Sequence, residues 1–187
     1  MSKELTPSQT IGPFYFGTLI KAYRHDLAPP GVAGERIDIV LSLHDADGAV
    51  VPDGLFEIWQ ANSHGRYNHP EDRRNLPLDP GFDGFGRAST HTDGCSHFST
   101  IKPGRVPWPE GGLQAPHVNV SIFARGLLNR LVTRLYFEGD PANAEDPVLK
   151  SIEPKRRATL LAKRDASGIW RLPIHLGGPN ETVFFDC

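Results

Sequence analysis

Apolar and polar residues alternate from Ile37 to His44, with Ile37, Ile39, Leu41 and Leu43 on one side and Asp38, Val40, Ser42 and His44 on the other. A period of two predicts a strand with one face buried. Asp45-Ala46-Asp47-Gly48 and Pro52-Asp53-Gly54 carry turn residues on either side of Ala49–Val51. Leu55–Ala61 predicts a second long strand, and shorter ones are expected at Ala88–Thr92 and His97–Ile101, joined around Asp93-Gly94. Pro116–Ala124 and Leu131–Phe137 give the two strongest strand patterns. Residues 141–163 are expected to be partly helical, around Val148–Ile152 and Arg156–Leu161, and strands return near Gly168–His175 and Thr182–Phe185.

Short strands with turn signals every 8–12 residues predict a mainly β protein: a single-domain β-sandwich with long loops and short helices. Residues 1–34 lack periodicity and include Pro29-Pro30-Gly31, so they are expected to form an extended N-terminal arm that packs on some other surface, ahead of a sandwich domain at 35–187. Two stretches break the strand pattern at length. Residues 62–88 and 102–115 are rich in Gly, Pro, Asn and Asp, and loops of this size in a compact domain are often functional.

Composition fits this picture. Nineteen glycines and seventeen prolines in 187 residues make about a fifth of the chain, which argues against a helical bundle because both residues cost helix stability. A formal net charge of −2 with a sequence pI near 6.4 disfavours nucleic-acid binding. No run approaches the 18 apolar residues of a membrane span, and the N-terminus does not have the form of a signal peptide. Cys95 and Cys187 are the only cysteines, expected as free thiols in a reducing cytoplasm.

Candidate chemistry is sparse when read residue by residue. In the strand 116–124, His117, Asn119 and Ser121 point away from Val118, Val120 and Ile122. Two histidines at such a spacing could hold a metal, but the second position is Asn119, whose amide is a poor ligand for a transition metal. The eight histidines form no zinc-type spacing, and the glycines at 81, 84 and 86 lack the strand–helix setting of a phosphate loop.

Several segments taken jointly say more. EIWQANSHGRYNH (57–69), LDPGFDGFGR (78–87), TIKPGRVPW (100–108), APHVNVSIFARG (115–126) and TRLYFEGDP (133–141) occur in this order. Together they resemble the intradiol ring-cleavage dioxygenases, and within them the protocatechuate-cleaving branch built from alpha and beta chains. TPSQTIGPF (6–14) and ETVFFDC (181–187) are similar to the alpha type.

The resemblance implies an activity that opens protocatechuate with O2 to 3-carboxy-cis,cis-muconate, in the cytoplasm, on Fe(III) held by two tyrosines and two histidines. Tyr67 and His117 match one tyrosine and one histidine position, whereas Val106 and Asn119 stand at the other two. It therefore implies a chain with vestigial metal positions and no catalytic residue of its own, acting as the non-catalytic alpha subunit of a hetero-oligomer of αβ units in which the partner beta subunit binds Fe(III). Arg125 in FARG, with Thr10, Gly12 and Pro13 of the arm, matches alpha-chain positions that line the substrate pocket. The alternative is a homomeric module that has lost catalysis and binds a small aromatic acid or a protein.

Overall fold

The computed structural model describes residues 5–12, 15, 18 and 22–186. Pro13 and Cys187 lie outside the described residues; Cys95 is a free thiol. Eight strands run in chain order: β1 (Arg36–His44), β2 (Leu55–Trp59), β3 (Phe85–Ser89), β4 (Cys95–Ile101), β5 (His117–Phe123), β6 (Leu131–Phe137), β7 (Leu161–Arg164) and β8 (Trp170–His175). Two short helices, α1 (Pro147–Ser151) and α2 (Pro154–Arg157), lie between β6 and β7. No helix among the described residues is long and apolar enough to cross a membrane.

The strands pair in the order β3-β2-β5-β6-β7-β8-β1-β4, antiparallel except for β6 with β7 and β1 with β8. The sheet curls around one core. Ile37, Ile39, Leu41 and Leu43 of β1 meet Val118, Val120 and Ile122 of β5, with Phe56, Ile58, Phe98, Leu135 and Phe137 between them. The period-two faces expected of β1 and β5 are thus the faces that are buried. A mainly β single domain with long loops and short helices is what the chain forms.

The outer strands β3 and β4 would leave unpaired backbone groups at both edges. Residues 24–27 cover both. Arg24 exchanges two backbone hydrogen bonds with Arg87 of β3, each 2.8 Å, while Leu27 N–H donates to Ser99 O and Ser99 N–H donates to His25 O on β4. Leu27 and Ala28 are fully buried. Residues 24–28 are therefore built into the sandwich rather than lying apart from it.

Three expectations fail. β3 begins at Phe85 rather than Ala88, because Gly84 and Gly86 give a turn signal in sequence while the ladder with β2 already pairs Trp59 with Phe85. Residues 161–164 are a strand, not the end of a helix. Ala, Lys and Arg favour helix locally, but the slot between β6 and β8 decides the conformation. Residues 182–185 form no strand; isolated bonds hold them, such as Phe185 N–H to Val132 O and the Thr133 hydroxyl to Val183 O.

Candidate functional site

Two loops, 60–84 and 102–116, meet above the outer face of β5. Glycine makes their contact possible. Gly65 has φ +77°, and a Cβ there would lie 2.0 Å from the carbonyl oxygen of Arg105; one on Gly104 would lie 2.4 Å from that of Ser63. Asn62 fixes the same junction. It is buried, its carbonyl oxygen accepts from the Gly65 and Gly104 amides, and its side-chain oxygen accepts from the His64 and Arg66 amides. Gly65→Ala should push the loops apart and lower unfolding stability by about 1–3 kcal/mol, the usual cost of overpacking, seen as a reduced urea midpoint.

The junction sets Tyr67 and Val106 around one pocket with His117, so the sequence-distant positions 67, 106 and 117 come together. The cavity has a volume of about 730 Å3. Asp72 props the Tyr67 loop: it accepts from the Tyr67 amide at 2.8 Å and binds Arg74 at 2.5 Å, and this pairing holds its carboxyl down to about 2. Asn119 joins the group through its amide, which donates to the Tyr67 hydroxyl and to Trp59 O, both at 3.3 Å. Burial pushes the Tyr67 phenol up, which reinforces its neutral form at neutral pH.

His117 is buried, and its Nδ1 lies 2.8 Å from Ala115 O. That contact makes Nδ1 the protonated nitrogen. Burial, and then the Arg134 charge, lowers its pKa to about 4. The unfolded chain takes up this proton near 6.5, so falling pH favours unfolding between 6.5 and about 4, by about 3 kcal/mol in all. Urea midpoints measured between pH 7 and 4.5 should fall accordingly, and a His117→Gln variant should show a flatter profile.

The donor set does not suit a ferric ion. Val106 offers only hydrocarbon, the Asn119 amide nitrogen already donates twice, and among the described residues no three His, Cys, Asp or Glu side chains gather where they could hold a metal. Of the four positions, Tyr67 and His117 carry a phenol and an imidazole, while the Asn119 amide oxygen is a poor ligand for a transition metal.

Arg125 and the arm occupy a different place. β5 carries His117 at one end and Phe123 at the other, about 20 Å apart at 3.3 Å per residue. Beyond Phe123, Arg125 pairs with Asp53 and keeps an exposed side chain. Thr10 Oγ1 accepts from the Gly126 amide at 2.8 Å, which lays the arm beside Arg125, and Tyr15 packs on Phe123 at 5.7 Å. Gly12 lies two residues along the same segment, exposed. Gln9 and Ile11 of the arm line a hollow here with Leu127 and the exposed Leu128. The arm–Arg125 group and the Tyr67–His117 pocket are two sites, not one.

Sequence reasoning missed Asn62, Asp72 and Arg134. Asn62 and Asp72 stand in a turn-rich stretch where Asn and Asp are common, and only their partners in the fold distinguish them: the loop junction at Asn62, the Tyr67 amide and Arg74 at Asp72. Arg134 sits on β6 opposite Asn119, a register that neither strand shows alone.

A dioxygenase family model matches residues 20–171. The protocatechuate 3,4-dioxygenase alpha chain of Burkholderia cepacia is 41% identical over 197 aligned positions, covering 97% of this chain and 96% of that one. The beta chain of the same enzyme from Burkholderia cepacia is 39% identical over 146 positions, covering 74% of this chain and 62% of that one. Among solved structures, the dioxygenase domain of a carbohydrate-binding fusion protein from Streptomyces sp. SirexAA-E superposes with a TM-score of 0.60 at 25% identity, over 82% of this chain and 85% of that one.

Proposed function

This chain belongs to the intradiol dioxygenase family, and we propose that it is the non-catalytic alpha subunit of a protocatechuate 3,4-dioxygenase whose beta-type partner holds Fe(III). One observation carries the reading: the metal pocket keeps its walls and two donors but has Val106 and Asn119 at the other two positions. The near full-length similarity to an alpha chain supports it.

The second site then has a role that this chain cannot complete. Arg125, Thr10 and Gly12, with Pro13 next in sequence, form an exposed edge far from the chain's own pocket. Such an edge lines a substrate pocket only when a partner supplies the rest. An exposed guanidinium offers a carboxylate paired, charge-assisted hydrogen bonds. Its present partner Asp53 holds it in a surface ion pair worth at most about 1 kcal/mol, so exchange for a substrate carboxylate costs little. Ile11 of the arm and the exposed Leu128 give the same end apolar surface for docking. The chain thus orients and charges a pocket; the chemical step belongs to the partner's metal.

The test is metal analysis and oxygen uptake on the chain purified alone, the beta-type chain alone, and their mixture. The expected result is no stoichiometric iron or turnover in this chain alone, and full turnover in the mixture. Stoichiometric iron with turnover in the isolated chain overturns the proposal.

A further inference from the structure

The pocket around Tyr67 and His117 carries other charges as well. Three guanidinium groups and two carboxylates line it. Asp72 is taken by Arg74 and Glu71 by Arg73. Arg134 is left with neutral partners: its Nη1 donates to Gln114 Oε1 at 2.7 Å and to the Tyr136 hydroxyl at 3.2 Å. Among the described residues no carboxylate lies within ion-pair distance of it, and its Nε and Nη2 make no hydrogen bond. That Nε–Nη2 edge is the fork by which arginine grips a carboxylate with two parallel bonds. Glu110 and Asp186 line an adjoining hollow that Arg134 also reaches, and neither closes on it.

The rest of the wall is aromatic. Tyr67 packs on Trp59 at 4.8 Å, and Trp108 lines the pocket from the second loop. Trp59 is 39% exposed, an indole face left partly open. A half-buried cation with a free fork, beside indole and phenol faces in about 730 Å3, suits a flat ring bearing one negative charge.

We propose that this chain's own pocket binds a planar aromatic monocarboxylate, its carboxylate on the Arg134 fork and its ring against Trp59 and Trp108, without chemistry on it. The site is separate from the Arg125 edge and does not depend on a partner or on iron.

Benzoate is the probe, with benzamide as its neutral counterpart, titrated into the full chain while tryptophan fluorescence and heat are followed. Two of the three tryptophans line the pocket and the third, Trp170, is in the core, so occupancy changes the emission. Benzoate should bind saturably, and benzamide about tenfold or more weakly, as expected on losing charge-assisted bonds. Arg134→Gln should weaken benzoate to a similar degree, with its thermal melting recorded because Arg134 also holds Gln114 and Tyr136. Trp108→Ala, a loop change outside the core, should weaken benzoate while leaving the melting curve in place. No benzoate binding, equal binding of benzamide, or unchanged affinity in a folded Arg134→Gln or Trp108→Ala variant overturns the proposal. None of these outcomes bears on whether a partner holds the iron, so this inference and the subunit assignment fail separately.

Discussion

A chain carrying Val106→Tyr together with Asn119→His should take up ferric iron stoichiometrically and gain the visible tyrosinate–iron band, both of which the natural chain is expected to lack. Val106 is the wall position without a donor, and Asn119 spends its amide on Tyr67 and Trp59. A phenol at 106 has the volume of the cavity to enter, and an imidazole at 119 offers a nitrogen lone pair where the amide offered N–H. Tyr67 is a neutral phenol at neutral pH, and burial disfavours its phenolate further. A bound cation reverses that preference, as metal charges generally do. The cavity lining already places Tyr67 and His117 around the same space, so the double variant completes a set of two oxygens and two nitrogens. Either single substitution leaves three donors and should bind iron far more weakly. A folded double variant that binds no iron would show that Tyr67 and His117 are not disposed around a metal, and the vestigial-site assignment would fall.

Arg125→Ala, introduced into the complex with the beta-type partner, should raise KM for protocatechuate about 10- to 150-fold. Loss of a charge-assisted hydrogen bond costs about 1.5–3 kcal/mol, which gives that range. Iron content should not change, because Arg125 stands at the far end of β5 from Tyr67 and His117. Assembly should change little, since the pair with Asp53 is exposed. Arg125→Lys should recover part of the loss, keeping the charge without the planar fork. Steady-state kinetics with gel filtration of each complex separate the two effects. Unchanged KM would remove Arg125 from the pocket.

The strands that bury one face were legible. β1 and β5 alternate in sequence and β6 is a β-branched and aromatic run, and the structure places all three within a residue of the expected bounds. The short strand β7 was not, because four residues carry no period and their composition favours helix; only the neighbours β6 and β8 make it a strand. The loops were legible as loops through glycine and proline. Why Gly65 and Gly104 matter was not, since each is required by a backbone oxygen on the other loop. Of the site, Tyr67, Val106, His117 and Asn119 were found through family-like motifs. That Arg125 and Thr10 lie at the opposite end of the same strand follows from strand geometry, and the Thr10–Gly126 hydrogen bond supplies the contact. Arg134 stayed hidden because its importance is a register fact, the pairing of β5 with β6 that sets it opposite Asn119.

As the non-catalytic alpha subunit, this chain is expected to give the metal nothing. Tyr67→Phe in this chain tests it directly, because Tyr67 is the only one of its four vestigial positions with a phenol to give. The substitution removes one oxygen and leaves Asn119 its bond to Trp59 O. In the assembled complex, the visible tyrosinate–iron absorption, iron content and kcat should all match those of the unaltered complex. Loss of the band, or of iron, on removing this one hydroxyl would contradict the account.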